Sequence, residues 1–141
     1  MPSEIILKKL EQIEKLIDEL EAILSESFSD FEKDIVSIRA AERNFQLIVD
    51  VASDINTQIL LEKGEKTPDT YRQSFIAISS TGILPNKFAR ELSISASLRN
   101  ILVHEYDFEE DFKKFYNSAK SFIPAYRNYA KKIYRHLQEK S

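Results

Sequence analysis

Apolar residues recur at helical spacing from the first turns of the chain. Ile6, Leu10, Ile13, Ile17, Leu20 and Leu24 are separated by 4, 3, 4, 3 and 4 positions, which draws one stripe down a helix over about residues 3–24. Ser27 is a capping residue type, and Asp30 falls at the third helical position, near the positive end of the helix dipole. A second stripe then runs through Phe31, Ile35, Ile38, Glu42, Phe45, Val49, Ala52, Asn56 and Ile59, so the spacing predicts one long helix capped by Ser27. It should stop where Lys63 precedes Gly64, because glycine turns left-handed beyond a helix end without a Cβ clash. Thr67 and Pro68 offer a cap and a first-turn proline for a third helix through about residue 80, closed by Gly82 and Pro85. A fourth helix starts near Asn86 and carries Phe88, Leu92, Ala96 and Leu98 to Val103. After a turn at about 104–108, the last helix begins between Asp107 and Asp111 and carries Phe108, Phe112, Phe115, Ala119, Phe122 and Ile123. Pro124 should kink or break it, since proline has no N–H for the helical ladder. The pattern is all-α: an up-and-down bundle of about five helices, expected as a single domain over residues 1–141.

Composition narrows the function classes. Two glycines and four prolines in 141 residues are too few for the turn density of an all-β sandwich, and 43% apolar residues suit one hydrophobic core. No apolar run approaches the roughly 18 residues needed to span a bilayer, and Glu4, Lys8 and Lys9 interrupt any signal-peptide pattern. A soluble, cytoplasmic protein is expected. The absence of cysteine excludes disulfides, thiolate catalysis and Cys-based zinc sites. The two histidines, His104 and His136, are too far apart for a local metal motif, so no metal and no cofactor is expected.

The net charge of −3 hides an asymmetry. Residues 1–69 carry 8 Lys and Arg against 16 Asp and Glu, and residues 70–141 carry 12 against 7, so a polyanion should prefer the second half. Residues 112–141 hold eight basic residues against Glu139 alone, with Tyr116, Tyr126, Tyr129 and Tyr134 interleaved. Basic residues among aromatics suit nucleic acid; the plainer reading, which the stretch alone favours, is a solvated helix face over half-buried tyrosines. Two polar residues break the second stripe. Glu42 could orient another site residue, but a structural ion pair with Arg39 or Arg43 is the simpler account, and a buried Asn56 needs a partner. Arg43 and Asn44 lie off the stripe, and periodicity assigns them no role.

The segment Arg99-Asn100-Ile101-Leu102-Val103-His104-Glu105-Tyr106 is where chemistry is expected. An arginine can clamp a phosphate with two parallel hydrogen bonds, and an imidazole moves protons near neutral pH. Together they suffice for metal-free RNA cleavage, because the 2′-hydroxyl beside the scissile phosphate supplies its own nucleophile. On a continuous helix Asn100 and His104 share a face, whereas positions 99 and 104 lie about 140° apart around the axis. Convergence of Arg99 and His104 therefore needs a helix end near His104, a long reach by Arg99, or a second subunit. Spacing alone favours a plainer reading, a helix cap and a dipole-stabilised surface imidazole.

These eight residues resemble the R-N-x-x-x-H-x-Y signature of the HEPN superfamily, and specifically its HepT toxin branch. The Glu42-Arg43 pair, the Gly64 stop before Thr67-Pro68, the Gly82-Ile83-Leu84-Pro85 turn and the aromatic last helix resemble the same branch in the same order, which reverses the preference at Arg99 and His104. The resemblance implies a homodimeric, metal-independent endoribonuclease of a prokaryotic toxin–antitoxin pair, active in the cleft between protomers. Arg99 and His104 would be catalytic, Asn100 would support the site, and Tyr106 would take AMP from a minimal nucleotidyltransferase antitoxin of the MntA type. ATP would be that antitoxin's co-substrate. Other members of the superfamily are non-catalytic, so the alternative is a helical nucleotide- or partner-binding module of a nucleotidyltransferase complex.

Overall fold

The computed structural model describes residues 2–104 and 112–139, with the side chains of Pro2, Ser3 and His104 left aside. Six helices and one 3₁₀ turn make up the described residues: α1 (Pro2–Ile23), α2 (Phe28–Phe31), α3 (Ile35–Glu62), α4 (Tyr71–Ile78), the 3₁₀ turn Ser79–Thr81, α5 (Asn86–His104) and α6 (Phe112–Glu139). The all-α bundle expected from the stripes is the observed architecture.

Two local expectations are corrected by cap chemistry, and the break at Pro124 by packing. The long second helix is two helices: Ser27 caps only the single turn α2, accepting a hydrogen bond from the Asp30 backbone N–H. Asp34 then starts α3 afresh, its carboxylate accepting from the N–H groups of Val36 and Ser37 at 3.1 and 3.2 Å. The Ser37 N–H first, then the Ser37 hydroxyl, which donates to the other carboxylate oxygen at 2.8 Å, and last the Val36 N–H hold the Asp34 carboxyl below its ordinary range, and an aspartate that satisfies orphan amides outcompetes continuation of the helix. The third helix is capped by Thr70 rather than by Thr67, with Thr70 Oγ accepting from Gln73 N–H at 3.1 Å. Pro124 lies inside α6 and does not end it. Ala119, Ile123, Tyr126, Ala130, Ile133 and Leu137 are buried on both sides of the proline, and that packing offsets the roughly 3 kcal/mol lost with one ladder bond.

The predicted stop at Lys63 is observed, with Gly64 at φ 72°. The Glu65 N–H donates to the Leu60 carbonyl at 2.9 Å and the Gly64 N–H to the Leu61 carbonyl at 3.1 Å, the paired bonds that satisfy a helix's last carbonyls.

The helix α3 is the hub, packed against α1 on one side and against α4 and α5 on the other, while α6 lies on α1. Its core side presents Ile38, Phe45, Val49, Ala52 and Ile59, all buried. Aromatic rings fill the space between α3, α4 and α6. Tyr126 and Tyr129 sit edge to face at 5.9 Å, and Phe75 lies 6.4 and 6.2 Å from their centroids, the offset geometry that ring quadrupoles favour. Burial pushes both tyrosine hydroxyls up, well above the usual phenol range. Both are partnered: Tyr126 with Ser95 at 2.6 Å, and Tyr129 with Asn56 Oδ1 at 2.6 Å and the Ala52 carbonyl at 3.0 Å.

Asn56 thus has the partner its burial requires. It passes the network on, donating to Ser74 Oγ at 3.2 Å, where Ser53 Oγ also donates at 3.1 Å. Ser74 Oγ in turn donates to the Tyr71 carbonyl at 2.7 Å. A buried polar chain of this kind, with each member satisfied, fixes one arrangement of α4 on α3.

Candidate active site

The same chain of hydrogen bonds decides where Tyr71 stands, at the first turn of α4, beside the solvent edge of α3. There the α3 residue Asp50 meets Arg99, which α5 brings in from 49 positions away. Arg99 Nε donates to Asp50 Oδ1 at 3.0 Å, and its guanidinium carbon lies 4.5 Å from the centroid of the Tyr71 ring. Burial first, and then the nearby charge of Asp50, raise the Tyr71 hydroxyl above the usual phenol range. It therefore remains a donor at neutral pH. Asp50 accepts from Arg99, and Tyr71 offers its π face to the cation, a contact worth about 0.5–2 kcal/mol.

Only 18% of the Arg99 side chain is exposed, so the guanidinium is held rather than free to sample rotamers. Its Nη1 donates to Asn100 Oδ1 at 3.2 Å. The other Nη hydrogens have no partner among the described residues, and they form the end of the fork that binds an anion with two parallel bonds. Asn100 thus accepts one hydrogen bond from the neighbouring guanidinium.

The helix α5 runs unbroken to His104, so positions 99 and 104 remain about 140° apart around one axis. One of the routes to convergence closes with that geometry: Arg99 is committed to Asp50 of α3 and Tyr71 of α4, so it makes no long reach toward position 104. The side chain of His104 and the whole of Tyr106 lie outside the described residues.

Among the described residues Glu42 pairs with Arg39 and not with Arg99 or Asn100. Its Oε1 accepts from Arg39 Nη1 at 2.8 Å on the same helix, the simpler of the two readings. Arg43 donates to Gln46 at 3.4 Å, and Asn44 donates to the Leu16 carbonyl of α1 at 3.4 Å. The carboxylate that holds the arginine is Asp50 instead. Its signal in the sequence is faint, an acid interrupting the apolar run Leu47-Ile48-Val49 and Val51-Ala52. Tyr71 gave none.

The basic last helix follows the plainer reading at its core: Tyr116, Tyr126 and Tyr129 are buried, and Tyr134 is half exposed. Arg127 pairs with Asp18 and Glu21 of α1, each at 3.0 Å.

Residues 13–133 match the family model described as Ribonuclease HepT-like. A curated tRNA nuclease HepT from Aphanizomenon flos-aquae (strain 2012/KM1/D3) is 31% identical over 133 residues, covering 94% of this chain and 90% of that one. Among solved structures, a tri-AMPylated Shewanella oneidensis HEPN toxin in complex with its MNT antitoxin superposes with a TM-score of 0.85 at 21% identity, over 93% of this chain and 97% of that one. A toxin–antitoxin complex with AMP-PNP gives a TM-score of 0.82 at 20% identity, over 92% and 97% of the two chains.

Proposed function

This chain belongs to the HepT-like ribonuclease family, and we propose that it is a metal-independent endoribonuclease toxin of a prokaryotic toxin–antitoxin pair. The observation that carries the reading is the held guanidinium: Arg99 is pinned by Asp50 over Tyr71 with Nη hydrogens left over for an anion, on a helix whose described residues run to His104. The arginine neutralises the scissile phosphate and the charge that develops on the phosphorane. The 2′-hydroxyl attacks phosphorus, an imidazole takes its proton, and the 5′-oxygen leaves with a proton from a second imidazole. The products carry a 2′,3′-cyclic phosphate and a 5′-hydroxyl.

Two imidazoles require two chains, because His104 is the one histidine in the motif. A homodimer supplies them, and an apolar seam on α5 supports it. Ile94 and Ile101 are 61% and 39% exposed and, seven positions apart, share one side of the helix. The position of His104 lies about 60° around the axis from Ile101. A two-fold contact along this seam brings two copies of position 104 toward one another, whereas Arg99 lies about 160° around the axis from Ile101 and faces α3 and α4.

Regulation follows from the same placement. Tyr106, two residues beyond His104, accepts AMP from ATP through a nucleotidyltransferase antitoxin, and the added nucleotide puts bulk and negative charge where the RNA phosphate must sit. The AMPylated state named for the Shewanella relative supports this reading, and the name of the Aphanizomenon relative makes transfer RNA the first substrate to try. Substrate and antitoxin both meet the protein in the cytoplasm.

The test is cleavage of a mixed RNA substrate by purified protein in excess EDTA, with His104→Ala and Arg99→Ala in parallel and product ends mapped. Wild type alone should cut, leaving cyclic phosphates, with each variant slowed by about 10³-fold or more. Cleavage that survives both substitutions would exclude this site. No cleavage by protein whose mass shows unmodified Tyr106 would leave the chain as a binding module of a nucleotidyltransferase complex.

A further inference from the structure

Beside the Arg99 cluster is a cavity of about 330 Å³ between α1, α3 and the segment that leads into α4. Its wall includes Lys9, Asp54, Thr57, Gln58, Asp69 and Tyr71. Tyr71 belongs to both places, so the cavity begins one aromatic ring away from the guanidinium. The cavity is at the small end of ligand pockets, large enough for one heterocycle and a few waters.

Its chemistry differs from that of the arginine. Asp54 is bridged to Lys9 at 3.4 Å, with both side chains partly exposed. The Asp69 carboxylate and the side chains of Thr57 and Gln58 have no hydrogen-bond partner among the described residues. Two carboxylates against one ammonium repel a phosphate, but they attract a neutral ring that offers N–H groups. An amide and a hydroxyl beside them can serve either role at the ring's other edge atoms. In single-stranded RNA such rings are splayed out and read on their pairing edges beside aromatic and arginine side chains.

We propose that this cavity is a nucleobase subsite for the RNA strand whose phosphate Arg99 holds, taking a base with adjacent N–H donors, guanine above all. Guanine presents N1–H and N2–H side by side, which one carboxylate accepts in parallel, while its O6 accepts from Gln58 or Lys9. Uracil offers a single N–H between two carbonyls and meets the carboxylates with its acceptors. The inference rests on the nuclease reading for the phosphate clamp, but the cavity's preference can be measured without cleavage.

Two measurements are made together. In the first, a pool of RNAs randomised around one position is digested by wild type, Asp69→Asn and Asp54→Asn, and the ends are sequenced. Wild type should cut beside guanine about tenfold more often than beside uracil, the discrimination of one parallel pair of base contacts. Asp69→Asn, which exchanges an acceptor oxygen for a donor, should bring that ratio within about twofold. Equal profiles for wild type and both variants would overturn the proposal. In the second, the His104→Ala protein is titrated with labelled five-nucleotide RNAs that differ only in a central guanine or uracil. Tighter binding of the guanine oligonucleotide, lost on adding Asp69→Asn, upholds the subsite even if wild type cleaves nothing and the nuclease reading fails. Equal affinities for the two oligonucleotides overturn the subsite even if wild type cleaves.

Discussion

The helices α5 and α6 both carry basic side chains, and they put them to opposite uses. On α6 three of the cations are engaged by the protein itself. Arg127 Nη2 is shared between Asp18 and Glu21. Lys120 Nζ donates to the Tyr116 hydroxyl at 2.9 Å and lies over its ring, and Lys113 lies 5.8 Å from the Phe28 ring. The tyrosines between them are core. On α5 a single arginine is gripped through Nε and through its face, which leaves Nη hydrogens for an outside anion. Charge density is therefore a poor guide to a binding site; an oriented cation with donors to spare is a better one.

The sharpest way to break this contrast is to release the grip on Arg99. Asp50→Ala should lower kcat of RNA cleavage by about 10–100-fold while KM changes less, because the arginine is still present but no longer pre-positioned. Asp50→Glu should recover part of the loss. Thermal unfolding should move little, since a partly exposed pair contributes about 0–1 kcal/mol. A loss of stability in proportion to the loss of activity would make Asp50 a structural residue only.

A second prediction concerns the buried hydroxyls that anchor α6. Tyr129→Phe leaves Asn56 Oδ1 and the Ala52 carbonyl without their donor, so stability should fall by about 1–3 kcal/mol in urea titration. The tyrosines also set an alkaline limit. Burial raises the folded-state pKa of Tyr126 and Tyr129, so the unfolded chain loses those protons first. Their contribution is complete below the unfolded value near 10 and declines above it, by about 1.4 kcal/mol per pH unit for each tyrosine. Tyr126→Phe should flatten that decline; an unchanged slope in equilibrium unfolding above pH 10 would contradict it.

The smallest effect is expected at the exposed cation of α6. Arg127→Ala should cost under about 1 kcal/mol and leave cleavage within about twofold, because its partners are on α1 and not on RNA. A large fall in RNA affinity would instead make α6 part of the binding face and erase the contrast.

Much of the fold is written in the chain at short range. The stripe from Ile6 to Leu24, the stop at Gly64, the Gly82 turn at φ 82° and the start of α5 at Asn86 each follow from residues within a turn or two of one another. The errors were also local. A phase-preserving stripe hides the restart at Asp34, and Pro124 signals a kink or a break, of which the break is overridden by buried neighbours on either side. The motif from Arg99 to Tyr106 is legible in the sequence alone, and of its residues the structure describes the side chains from Arg99 to Val103.

By itself, the sequence determined the helices, their buried faces and the motif, because hydrogen-bond caps and 3.6-residue periodicity are properties of neighbours along the chain. Only the tertiary structure decided which carboxylate holds Arg99. Glu42 is taken by Arg39 three positions away, while Asp50 reaches an arginine 49 positions distant, under a tyrosine whose place is set by the buried chain through Asn56 and Ser74. That contact depends on how α3, α4 and α5 pack, and packing geometry leaves no periodic trace in any one of them.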